Sequence, residues 1–108
     1  MNYHELYDSI VQKLSLTTVH PLHKAILEEC CENALANEQG VTDLTALQQA
    51  VYLAFTVALS VMQGVVRGSL EAAQADQVNL QYRGQTFVIA ADSKLLEKVE
   101  PLPPNKNG

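Results

Sequence analysis

The chain has 108 residues, enough for one domain with a modest core, and its 47% hydrophobic, 18% charged composition excludes a disordered polymer. A formal net charge of -5 without any basic stripe excludes the phosphate neutralisation on which sequence-independent nucleic-acid binding depends. With no Trp and only 6% aromatics, Ala, Leu and Val must carry the core, a mix that favours helices.

The charge is unevenly spread. Residues 1–43 hold seven acids and two lysines, residues 44–66 hold no charge, and residues 67–108 hold five of each sign. The acidic first third either faces a basic partner or keeps its surface solvated. Met1 to Asp8 is polar and acidic, without the basic start and apolar run of a secretory leader. Cys30 and Cys31 are adjacent, and helical neighbours point about 100° apart, so they do not readily bridge each other. Reduced thiols and a cytoplasmic setting are therefore expected.

Asn2 to Leu14 predicts a short helix, because Tyr3, Leu6, Tyr7, Ile10, Val11 and Leu14 recur at three- and four-residue spacing. Pro21 suits the first position of a second helix, where its missing N–H has no partner to lose. That helix should run to about Asn37, with Gly40 as a stop. Ile26, Leu27, Cys30, Cys31, Ala34 and Leu35 fill its apolar half; Lys24, Glu28, Glu29, Glu32 and Asn33 fill the other.

A third helix begins near Thr42 to Thr45, capped by Asp43 or by a Thr45–Gln48 capping box, and continues to about Ala75. At the standard rise it is ~45 Å long. Val51, Leu53, Phe55, Val57, Leu59, Val61, Met62, Val65 and Val66 point in all directions, and a helix apolar all round is expected to be buried all round. Its uninterrupted apolar stretch, Ala50 to Met62, is shorter than a membrane span and has no positive flank, so no membrane crossing is expected. Thr56, Ser60, Gly64, Gly68 and Ala72 recur every fourth residue, as do Ala50, Ala54 and Ala58, a spacing that lets two backbones approach closely. A second copy of the chain is the expected cover, unless packing within the chain suffices or the helix breaks at Gly64 or Gly68.

After Asp76 the period changes from 3.6 to 2. A hairpin turning at Arg83-Gly84 pairs Tyr82 with Gln85, Leu80 with Phe87 and Val78 with Ile89, placing the apolar side chains on one face. Asp92 or Ser93 can cap a last short helix, Lys94 to Glu100, and the proline-rich stretch 101–108 is expected to be a disordered tail beyond a single domain of residues 1–100. The expected fold is thus α+β, mostly α: two short amphipathic helices, one long apolar helix, a hairpin and a short C-terminal helix, oligomeric through the long helix.

For chemistry, His4, His20, His23, Cys30 and Cys31 lack the number and spacing of a zinc set. Cys30 and Cys31 lie on an apolar helix face, where free cysteine is ordinary core. No nucleophile elbow, P-loop or dinucleotide fingerprint occurs. The two arginines, Arg67 and Arg83, with Tyr82 beside the second, are the candidate binders of a small anionic ligand, because a guanidinium fork matches phosphate or carboxylate and a ring can stack on a base.

The run Glu28-Glu29-Cys30-Cys31-Glu32 resembles the Glu-Glu-x-x-Glu motif of the all-α nucleotide pyrophosphohydrolases, over five residues. The resemblance implies Mg²⁺ held by Glu28, Glu29 and Glu32. That family's second motif, Glu-x-x-Asp, has no counterpart: residues 44–66 hold no acid, and Glu71 and Asp76 are five apart.

Together these features point to a non-enzymatic homo-oligomer that sequesters or inhibits a partner protein or a small anionic, nucleotide-like ligand. A phage or other mobile-element accessory protein fits that description. The alternatives are a Mg²⁺-dependent pyrophosphohydrolase-like enzyme and a purely structural assembly subunit.

Overall fold

A computed structural model describes residues 3–14, 20–36 and 43–97. It contains α1 (Tyr3–Leu14), α2 (Pro21–Ala36), α3 (Leu44–Ala73), a hairpin of β1 (Gln77–Tyr82) and β2 (Gln85–Ala90), and a single 3-10 turn, Lys94–Leu96. The α+β, mostly α class follows. The expected C-terminal helix is reduced to that turn within the described residues. Ser93 caps it, its side chain accepting from the Leu95 N–H at 3.1 Å. The expected stop at Gly40, the rest of the C-terminal helix and the tail lie outside the described residues.

The long helix runs unbroken through Gly64 and Gly68. Asp43 is its N-cap: Oδ1 accepts from the Thr45 N–H at 3.0 Å. The Thr45–Gln48 box does not form, because Gln48 is buried and donates instead to Ser9 Oγ on α1 at 3.1 Å. At the other end Gln74 takes left-handed backbone, φ 50°, and its N–H reaches the Glu71 carbonyl while Ala75 N–H reaches that of Leu70. This is a Schellman closure, made here by glutamine where glycine is usual.

The hairpin has the register that alternation predicts, with Tyr82 opposite Gln85, Leu80 opposite Phe87 and Val78 opposite Ile89. Arg83 (φ 51°) and Gly84 (φ 78°) supply the two positive φ angles that a two-residue turn of the hairpin-favoured hand requires. A two-stranded sheet is marginal alone, and this one lays its apolar face on the helices. Phe87 and Ile89 are buried, and Val78, Leu80 and Tyr82 pack half-buried against the same cluster.

That cluster draws on Leu6 and Ile10 of α1, Leu22, Ile26, Leu27, Cys30 and Cys31 of α2, and Leu47, Val51, Phe55, Leu59 and Val66 of α3. Leu95 and Leu96 of the 3-10 turn close it. Gln63, buried on α3, ties the turn down: its Nε2 donates to the Leu95 carbonyl at 2.9 Å and the Glu97 carbonyl at 2.8 Å.

Within one chain α3 is not buried all round. Two short helices and a hairpin cover one face of it and leave the opposite face open. By length and composition alone α3 could cross a membrane, and only 28% of its most apolar window is buried in the chain. A core helix of a soluble protein passes the same length test, and the fold is compatible with a soluble protein. The helix carries buried Gln48 and Gln63 on its packed face, both bonded to other elements of the chain.

Candidate functional site

The two charged groups that stand out in the sequence meet each other. The hairpin lies along α2, and its tip reaches the acidic run on that helix. The Tyr82 hydroxyl donates to Glu29 Oε2, and Arg83 Nη2 bonds Glu32 Oε2 at 2.8 Å. Glu28, Glu32, Arg83 and Gln85 border a small cleft of about 240 Å³. Burial, and then the bond to Glu29, raise the Tyr82 pKa well above the usual phenol value, so the ring stays a protonated donor. Arg83 already spends one arm of its fork on Glu32. Glu29 and Glu32 are thus engaged by the hairpin, and among the described residues no group of three His, Cys, Asp or Glu side chains is placed to hold a metal.

Arg67 lies elsewhere. It borders a larger, open cleft of about 460 Å³ with Leu70, Glu71, Asp92, Leu96 and Glu97, and its Nη2 donates to the Leu96 carbonyl. Because Asp92 follows β2 directly, this cleft sits at the open end of the hairpin, while Arg83 sits at its turn. Six residues of strand separate the two ends by roughly 20 Å. One chain therefore does not bring Arg67 together with Tyr82 and Arg83. Three carboxylates, Glu71, Asp92 and Glu97, share the cleft with one guanidinium, an unfavourable balance for an anion.

The cysteines are free and buried. Burial first, and Glu29 second, push the Cys30 thiol up to about 11. Burial, then Cys30, Glu28 and Glu32, push Cys31 up to about 12. Both are neutral core thiols near pH 7, unsuited to nucleophilic attack.

His20 and His23 serve the backbone. Nδ1 of His20 accepts from the Leu22 N–H at 3.0 Å, and Nδ1 of His23 accepts from the His20 N–H at 3.2 Å. His20, Pro21, Leu22 and His23 form a reciprocal cap at the start of α2, with imidazoles in the places usually held by Ser or Thr and Glu. Sequence reasoning missed this cap. Its signal was the three-residue spacing of two acceptor side chains around a proline at the first helical position.

The most extensive unassigned feature is the open face of α3. Leu53, Val57, Val61 and Val65 are 63%, 64%, 59% and 48% exposed. They recur every fourth residue and so form one line along the helix. Ala50, Ala54, Gly64 and Gly68 flank them and are also exposed. Among the described residues a Cβ added at Gly64 or Gly68 would meet nothing within 4 Å, so their packing demands neither glycine. The sequence identified these residues as apolar and small; only the packing of the other face showed which of them remain uncovered.

No family model matches the chain, and no curated protein and no solved structure is similar to it.

Proposed function

We propose that this chain is a non-enzymatic, homo-oligomeric binding protein that pairs through the open face of α3 and sequesters or blocks a partner. The observation that carries the reading is the line of Leu53, Val57, Val61 and Val65, each about half exposed or more. Contiguous apolar surface of this kind marks an association site. A strip ~10 Å wide along the ~33 Å of residues 44–66 offers on the order of 330 Å² per copy, so a pair would bury roughly 660 Å² from this strip alone. A specific interface buries ~1,000 Å² or more, so the side chains flanking the strip must supply the rest. Residues 44–66 hold no charge, so an identical strip can face this one with no ion to neutralise.

The glycines support the same reading. Each lowers helix stability by about 1 kcal/mol relative to alanine, and nothing in the packing of the described residues requires either one. Close approach of a second helix gives them a reason.

For the partner, a protein with a basic surface fits better than a small anion. The net charge is -5, and the binding candidates Tyr82 and Arg83 are occupied by Glu29 and Glu32 within the chain. Two free, reduced cysteines suit the cytoplasm.

The test is native mass spectrometry of the wild type beside Val57→Lys/Val61→Lys. The expected result is a multimer for the wild type and a monomer of unchanged helical content for the variant. Added mass on the purified wild type would identify what it captures. A monomeric wild type at micromolar concentration would overturn the proposal.

A further inference from the structure

We infer that His20 and His23 form a proton-operated cap that closes the start of α2 when both rings are neutral and opens it when they are protonated. The geometry requires a particular tautomer. Each Nδ1 is an acceptor, for the Leu22 N–H and the His20 N–H respectively, so each ring must carry its proton on Nε2. A protonated imidazole has N–H at both nitrogens and nothing left to accept with. Protonation therefore removes both cap bonds and turns each ring's proton toward the amide it had served.

Two further effects act in the same direction. The rings stand edge to face with centroids 6.3 Å apart, so two positive charges would repel at close range. They also sit at the positive end of a 16-residue helix, where a cation is disfavoured. His23 is only 2% exposed, so water cannot readily solvate its charge. Burial is the main influence lowering both rings below the ordinary 6.5, and the His20 ring adds to it at His23. Among the described residues one influence opposes the shift, the nearby backbone of Val88 on β2. Among the described residues neither a carboxylate nor a Lys or Arg from a packed element acts on either ring. The His20 ring thus caps the start of α2 and feels the β2 backbone at Val88.

Imidazole and amide NMR spectra of the full chain, recorded from pH 8 to pH 4.5, test this. Expected are the Nε2–H tautomer at pH 7.5 for both rings, titration midpoints below 6.5, and about a tenfold loss of exchange protection at the Leu22 and His20 amides over the same range. A second arm uses His20→Asn, since asparagine caps well and does not titrate. In that variant Leu22 should keep its protection through pH 5. An Nδ1–H tautomer in either ring, or protection that persists through the wild-type titration, would overturn the inference. So would acid loss at Leu22 that survives in His20→Asn. If His20→Asn fails to fold, the wild-type titration still decides.

Discussion

The Tyr82 hydroxyl donates a hydrogen bond to the Glu29 carboxylate, 53 positions away in the chain. Beside it Arg83 pairs with Glu32, and together the two contacts fasten the hairpin tip to the third and fourth turns of α2. Tyr82→Phe keeps the ring packing and removes only the donor. A half-buried hydrogen bond to a charged group is worth about 1–2 kcal/mol, so urea unfolding should show a loss of that size. A double-mutant cycle with Glu29→Gln should return most of it as coupling between the two positions. Additive single effects would show that the contact contributes little.

Arg83 holds left-handed backbone at φ 51°, a conformation asparagine adopts more readily than arginine. Arg83→Asn should raise the melting temperature, although it removes the exposed pair with Glu32. The gain should be clearest in 1 M salt, where the screening length is about 3 Å and the pair contributes least. A lower melting temperature at that salt would mean that the pair, and not the turn, dominates at this position.

Gln63 is the link between α3 and the 3-10 turn, with both of its donor hydrogens used on carbonyls of Leu95 and Glu97. Gln63→Leu conserves volume but strands those acceptors. The expected cost is about 2 kcal/mol. Amide exchange should quicken at Leu96 and Glu97, whose N–H groups hold the turn together. Unchanged exchange there would show that Leu95 and Leu96 anchor the turn through packing alone.

The thiols set an alkaline limit. A group whose folded pKa exceeds its unfolded value stabilises the fold fully below the unfolded value, and that stability is lost as pH rises through the folded one. For Cys30 and Cys31 the window runs from about 9 to about 11 and 12. Urea midpoints should therefore fall between pH 8.5 and pH 10.5. Tyr7 and Tyr82 are also raised by burial and act with the same sign. Comparison with Cys30→Ala/Cys31→Ala isolates the thiol share, and equal slopes in both proteins would show that the thiols do not contribute.

What the sequence determined by itself was local. Periods of 3.6 and 2 marked three helices and a hairpin, because side-chain direction repeats with the backbone. The hairpin register followed from its two-residue turn, since one residue of slip would have turned Phe87 and Ile89 outward. Asp43 and Pro21 marked helix starts through the hydrogen-bonding of their own neighbours. The tertiary structure decided which surfaces meet. Nothing local distinguishes Val57 from Val51, yet one is 64% exposed and the other 0%. Gln48 looked like a capping residue until α1 brought Ser9 within its reach. Tyr82 and Arg83 looked like free binding groups until the hairpin lay down on Glu29 and Glu32. Periodicity says which face of an element is apolar. The identity of the surface that covers it depends on contacts between residues tens of positions apart, and those exist only once the elements have docked.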